Sequence, residues 1–335
     1  MPVRYTSDKE EHLRVRQKAG IFDVSHMGEF FISGKGALDL IQYVTSNDAS
    51  KLEDGKAQYS YLPNREGGII DDLLVYRIKE DHYMLVVNAG NIGKDWQWIT
   101  SHNSFGARLE NASEEYSLFA VQGPAATTIL QKLTSIDLSA INFYTFKIGN
   151  LGGINDVIIS ATGYTGAGGF ELYVKNEYAV GLWNDILEAG ADHGIQPIGL
   201  GARDTLRMEM GYCLYGNDID DATSPIEAGL GWVTKFNKDF INAEALKQQK
   251  EKGVTKKLVG FKIVDKGIPR QGYEIENTEG KTIGHVTSGT MSPSLEMGIG
   301  LGYINKEYAA TDSEIYIRIR DKKVGATVCK LPFIQ

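Results

Sequence analysis

Between residues 28 and 102 the apolar residues recur at every second position, then with a helical period, then in strand fashion again, and finally as a helix. Gly28–Ser33 reads as a strand and residues 37–45 as a short amphipathic helix closing near Asn47-Asp48. Residues 57–62 are strand-like and end in the turn Pro63-Asn64-Arg65-Glu66-Gly67-Gly68. Residues 69–78 and 83–88 form an antiparallel pair joined at Glu80-Asp81, and residues 92–102 carry Trp96 and Ile99 at helical spacing. This succession of strand, helix, strands and helix is that of a ferredoxin-like α+β unit.

A comparable succession follows. Residues 117–122 read as a strand and residues 124–133 as a helix with Pro124 in its first turn, where a missing N–H costs nothing. Strands at 156–161 and 170–174 precede helices at 177–189 and 200–210. From Leu258 onward short strands alternate with Gly, Asn and Asp turns, which reads as a separate β-barrel or sandwich. The lysine-rich piece 247–257 is the expected linker, with a solvated helix end as the other reading.

The chain has 335 residues, 42% of them hydrophobic, enough for two or three domains with their own cores. Lys and Arg total 35 against 43 Asp and Glu, a net charge of −8, which argues against a chain built to grip nucleic acid. Two cysteines, Cys213 and Cys329, cannot build a disulfide framework or zinc cluster. No apolar run approaches the roughly 20 residues that span a bilayer, and residues 1–20 lack the apolar core of a signal peptide. A cytoplasmic enzyme with no membrane partner is the expectation. The histidines show no paired spacing for metal and none stands near a nucleophilic Ser or Cys, so no metal site is expected.

Two adjacent carboxylates, Asp71 and Asp72, lie inside the apolar run 67–76. Strand geometry lets only one of them share a face with Ile69, Leu73 and Val75, and a carboxylate in that row is desolvated unless a donor compensates. A strand entering from solvent with both acids exposed reads equally well from spacing alone. The segment 162–171 has four glycines in ten residues but lacks the following Lys-Ser/Thr of a phosphate loop. A glycine-rich hairpin that sets Tyr164 and Glu171 beside a flat ligand is the more natural chemistry: glutamate accepts paired N–H bonds and tyrosine stacks. Arg203 and Arg207, one helical turn apart, suit carboxylates or ring carbonyls; a surface ion network with Asp204 is the alternative.

The string Lys18-Ala19-Gly20-Ile21-Phe22-Asp23-Val24-Ser25-His26-Met27-Gly28-Glu29 resembles the most characteristic stretch of the T-protein (aminomethyltransferase) family of the glycine cleavage system. The resemblance continues in family order through 67–76, 162–171, 197–220 with Arg-Asp-Thr-Leu-Arg and Leu-Tyr-Gly-Asn-Asp, 224–232 and 287–293. It implies an α+β fold: a three-domain ring with two ferredoxin-like-derived folate-binding domains and a C-terminal β-barrel. Residues 1–45 with 140–245 would form the first, 46–139 the second and 246–335 the barrel. It implies transfer of the methylene carbon of aminomethyl-lipoyl H-protein to tetrahydrofolate, with ammonia, methylene-tetrahydrofolate and dihydrolipoyl H-protein as products.

Carried over residue by residue, the functional acid falls on Asp71, the pterin carboxylate on Glu171 and the folate-contacting arginine on Arg203. Met27, Tyr59, Leu73, Asn88 and Tyr164 match positions that line the folate channel. Tetrahydrofolate is then the co-substrate, lipoylated H-protein the transient partner, and no metal or nucleic acid takes part. The chain departs from the family pattern before Met1, after Lys330-Leu331-Pro332-Phe333, where a tyrosine-bearing tail is usual, and at Ala167, where a Glu is usual. A folate-dependent demethylase, the folate domain of a sarcosine or dimethylglycine dehydrogenase, and a non-catalytic iron–sulfur maintenance protein of the same superfamily are the alternatives. The last usually carries Lys-Gly-Cys-Tyr, whereas Cys213 here stands between Tyr212 and Leu214.

Overall fold

The structure is a computed structural model and describes residues 1–334. The chain divides into two compact units, one of Met1–Leu62, Asp71–Arg203 and Lys238–Phe240, the other of Pro63–Ile70, Asp204–Asn237 and the chain from Ile241 on. In chain order the elements run α1 (Asp8–Gln17), β1 (Gly20–Asp23), β2 (Gly28–Ser33), α2 (Ala37–Val44), β3 (Lys56–Pro63), β4 (Ile69–Lys79), β5 (His82–Val87) and α3 (Ile92–Ser101). They continue with β6 (Arg108–Asn111), β7 (Tyr116–Gln122), α4 (Ala126–Gln131), β8 (Phe146–Leu151), β9 (Ile154–Ser160), β10 (Gly169–Lys175), α5 (Asn176–Ala189), β11 (Gln196–Pro197) and α6 (Leu200–Met210).

The first unit holds two sheets. One has the order β11-β1-β7-β10-β9-β8, the other β3-β4-β5-β2-β6. Period-two alternation gives the six-stranded sheet two unlike faces. Ile21, Phe119, Val121, Ile159, Phe170, Leu172 and Val174 point to one side and pack with Ile129 and Leu130 of α4 and Leu182 and Ile186 of α5 in a dry core. Each such side chain stabilises the fold by about 1.5–3 kcal/mol through burial. The opposite face carries Phe22, Ala120, Gln122, Ser160, Glu171 and Tyr173. It meets the five-stranded sheet, where Tyr76 on β4 bonds the Tyr173 hydroxyl at 3.1 Å and packs on Phe146.

The second unit is dominated by α7 (Ala243–Lys252) and a closed barrel of β12 (Lys256–Ile263), β13 (Glu274–Glu276), β14 (Thr282–Ser292), β15 (Met297–Asn305), β16 (Glu314–Ile319) and β17 (Lys322–Cys329). Its core is apolar, with Val259, Phe261, Ile275, Val286, Ile304, Ile315 and Ile317 fully or almost fully buried.

Several expectations change. Pro124 stands ahead of α4 rather than inside it, with Ala125 as the N-cap. The piece 247–257 is helical to Lys252 and extended from Lys256, not a linker. Both sheets draw strands from either side of residue 45. Strand β2, counted with residues 1–45, pairs with β5 and β6; β7, counted with 46–139, pairs with β1 and β10. Long-range pairing decides sheet membership, and succession along the chain does not report it.

Candidate functional site

A small cavity opens on the face of the six-stranded sheet opposite α4 and α5, lined by Phe22, Val24, Met27, Ala120, Gln122, Tyr164, Thr165, Glu171 and Arg203. Its wall is the glycine-rich segment 162–171, held in place by one buried amide. Gln122 on β7 donates from Nε2 to the Thr162 carbonyl at 3.1 Å, and its Oε1 accepts from Thr165 Oγ1 at 2.8 Å. The segment needs its glycines where backbones touch. A Cβ on Gly163 would lie 2.1 Å from Gln122 Oε1, and one on Gly169, at φ +122°, would lie 2.2 Å from the Val121 carbonyl.

Three of the expected ligand residues converge here. The Arg203 guanidinium, on the first turn of α6, stands 4.4 Å over the Tyr164 ring. Glu171 presents its carboxyl to the cavity, and Thr162 Oγ1 donates to its Oε2 at 2.5 Å. Burial raises the Glu171 carboxyl above the usual range, while the Thr162 bond and the Arg203 charge pull it back. Met27, the fourth, lines the cavity from the turn that precedes β2.

A second cluster sits on β4. Register pairs Leu73 with Val87 and Val87 with Gly28, so Asp72, Asn88 and Met27 stand one step beyond that row. Asp72 accepts from the Tyr59 hydroxyl at 3.0 Å and from Asn88 Nδ2 at 3.0 Å. It is half-buried and shares its face with Leu74 and Tyr76, the face that meets the other sheet. Burial, and next the charge of Asp71, push its carboxyl up to about 7.

Asp71 lies on the opposite face and is fully buried. It accepts from the Asn88 backbone N–H at 3.0 Å, from Asn88 Nδ2 at 2.8 Å and from Asn91 Nδ2 at 2.7 Å. Behind it, on α3, Asp95 is also fully buried, and neither of its oxygens meets an N–H or hydroxyl donor. Burial and then Asp71's charge push Asp95 up to about 10, so it carries a proton and can bond Asp71 as a neutral acid.

Asp71 and Asp72 therefore stand in different settings. The Asp71 oxygens meet Asn88, Asn91 and the neutral Asp95 carboxyl, whereas Asp72 is half-buried on the face that meets the other sheet. Leu73 lies with Asp71: it is 3% exposed in the core, and Leu74 is the half-buried leucine on the Asp72 face. Met27, Tyr59, Asn88, Tyr164, Glu171 and Arg203 do lie in these two groups. Sequence reasoning missed Gln122, Thr162, Tyr76 and Asp95, whose burial depends on partners far away in the chain. Arg207 is not a ligand residue. It is 2% exposed and bonds Asp218 at 2.8 Å and Ser288 at 3.0 Å inside the second unit. Among the described residues no group of His, Cys, Asp and Glu is arranged to hold a metal ion.

An acid, an aromatic ring and an arginine thus share one sheet-lined cavity, and comparison with known proteins gives the class of protein. Residues 1–238 match the GCVT N-terminal domain and residues 256–335 the glycine cleavage T-protein C-terminal barrel domain. An aminomethyltransferase of Flavobacterium psychrophilum is 61% identical over 335 residues, covering 100% of this chain and 93% of the relative. One from Bacteroides thetaiotaomicron is 58% identical, covering 99% and 93%. The crystal structure of glycine cleavage system aminomethyltransferase T from Bartonella henselae superposes with a TM-score of 0.93 at 34% identity, covering 100% of this chain and 91% of that one. The chain belongs to the glycine cleavage T-protein family. It is an aminomethyltransferase, transferring one-carbon units with tetrahydrofolate.

Proposed function

We propose that the pterin of tetrahydrofolate occupies the cavity with its aminopyrimidine edge on Glu171, its ring beside Tyr164 and Arg203, and its reacting nitrogens towards Asp72. The observation that carries this reading is the meeting of Glu171, Tyr164 and Arg203 in one cavity, with the Asp72 cluster on the sheet that packs against it. Glu171 binds through N–H donation, and the Tyr164–Arg203 stack closes one side of the slot. Met27 bridges the two clusters.

The second substrate on this reading is the aminomethyl group on the lipoyl arm of H-protein. The methylene carbon gains bonds to two folate nitrogens as its bonds to sulfur and to the amine break. Two folate N–H protons leave, one to the sulfur and one to the departing amine, which balances the products dihydrolipoyl H-protein and ammonia. Asp72, near neutrality in pKa, accepts such a proton and returns it to the amine. Tyr59 and Asn88 orient Asp72, and the Asp71–Asp95 pair behind it holds the strand end. A cytoplasmic setting suits these substrates; no described helix is long and apolar enough to cross a membrane.

Anaerobic calorimetry of tetrahydrofolate binding tests the pterin assignment. Glu171→Gln should weaken affinity by about 1.5–3 kcal/mol, the scale of a charged hydrogen bond. Unchanged affinity would remove Glu171 from the ligand site.

A further inference from the structure

Glu171 stands at the head of a chain of hydroxyls that runs under the cavity floor. Thr162 Oγ1 lies 2.5 Å from Glu171 Oε2 and 3.1 Å from the Tyr76 hydroxyl, which in turn lies 3.1 Å from the Tyr173 hydroxyl. Ser160 Oγ branches from it, 3.2 Å from Tyr76 and 3.0 Å from Thr162. Ser160, Tyr76 and Tyr173 are fully buried and Thr162 is 4% exposed, so water does not compete for these protons.

Each hydroxyl has one proton to give, and an ionised carboxylate only accepts. With Glu171 charged, Thr162 donates to it, Tyr76 donates to Thr162, Tyr173 donates to Tyr76, and Ser160 donates to Tyr76. Every proton is used and every dipole points at the carboxylate. With Glu171 protonated, Thr162 either donates to a neutral acid or turns to accept from it, and in both cases the charge-assisted bond is lost. A hydrogen bond to a charged acceptor is roughly twice as strong as a neutral one, so the hydroxyl chain favours the ionised carboxylate. The charged groups around Glu171 act with this order. Arg203 on α6 favours its charge. From β2, Glu29 lies beside Tyr173, and burial holds it protonated, up to about 8, so it adds no opposing charge at neutral pH. Tyr76 and Tyr173 are pushed far up by burial and stay protonated.

We propose that Thr162, backed by Tyr76 and Tyr173, is a positioning residue that keeps Glu171 ionised and aimed into the cavity as an acceptor for a ring that donates N–H bonds. The proposal rests on reading Glu171 as the pterin's partner, and its test separates the two.

Tetrahydrofolate affinity is measured by anaerobic calorimetry from pH 5 to 9 for the wild-type enzyme, Thr162→Val, Thr162→Ser, Tyr76→Phe and Glu171→Gln. Wild-type binding should weaken about tenfold per pH unit below the Glu171 midpoint. Thr162→Val should raise that midpoint by about one unit and weaken binding at pH 7 up to tenfold, while kcat at saturating tetrahydrofolate stays within a few fold. Thr162→Ser, which keeps the donor, should return the midpoint to the wild-type value, and Tyr76→Phe should move it part of the way. A Thr162→Val midpoint equal to wild type, with Glu171→Gln still weak and insensitive to pH, overturns the proposal and leaves the pterin assignment standing. Wild-type affinity and pH dependence in Glu171→Gln overturn both.

Discussion

A strand sends consecutive side chains to opposite faces, and at Asp71 and Asp72 that alternation separates a carboxylate enclosed by amides from one that stays partly open. The chemical consequence is a division of labour. Asp72, lifted to about 7, is the member that can exchange a proton near neutrality. Because its base form accumulates only above that value, kcat/KM should rise about tenfold per pH unit up to about pH 7 and then level. Asp72→Asn should lower kcat by about 100-fold or more while tetrahydrofolate affinity stays within a few fold. Steady-state kinetics against pH settles this, and a mutant that turns over near normally removes Asp72 from proton transfer. Asp71→Asn should act differently. It sets an amide against the Asn88 and Asn91 donors, so it should cost stability first, read as a lower urea midpoint.

The elements around the site also bury an acid without a partner. Glu29 on β2 is fully buried, both of its oxygens lack a partner, and burial lifts it to about 8. A carboxyl raised in the folded state binds its proton more tightly there than in the unfolded chain. Its contribution is therefore complete below about pH 4.5 and is lost as pH climbs to about 8, at about 1.4 kcal/mol per unit across that window. Unfolding midpoints in urea at pH 5, 7 and 9 should fall along this course, and Glu29→Gln should flatten the slope whatever it does to the absolute value. An unaltered slope assigns the effect elsewhere. The C-terminal end of α2 is capped by Lys238, whose ammonium donates to the carbonyls of Gln42 and Thr45 at 2.5 Å each. Lys238→Met should cost about 1–2 kcal/mol in the same assay. Periodicity made β2, α2, β4, β5, α3 and α6 readable from the sequence to within a residue or two, because each has a clear buried face. Helix α1 escaped because six of its ten residues are charged and it buries only Glu11, His12 and Val15. The four-residue β1 and two-residue β11 escaped because they are strands only by virtue of partners about a hundred residues or more away. The acid pair was legible as a pair; which member faces the other sheet depended on long-range packing, which no single segment encodes.

For the whole molecule the net charge is −8, so an acidic protein partner of the kind the family suggests gains nothing from overall attraction. Arg207 cannot supply a basic docking patch, because it is buried in ion pairs with Asp204 and Asp218. Any attraction must then come from other local cations, and exposed charges are screened beyond about 8 Å at physiological ionic strength. The apparent KM for lipoylated H-protein should rise with added salt at saturating tetrahydrofolate; a KM indifferent to salt would point to recognition of the lipoyl arm alone. The strand order of the cavity-bearing sheet also bears on how the protein is made. Its strands come from residues 20–23, 116–122, 146–175 and 196–197, whereas the companion sheet closes with residue 111. On the ribosome β1 must wait about a hundred residues for its neighbour β7, while the five-stranded sheet can already assemble. The cavity itself stays unfinished until Arg203 clears the exit tunnel, so a nascent chain arrested before that point should hold a folded half and no grip on pterin.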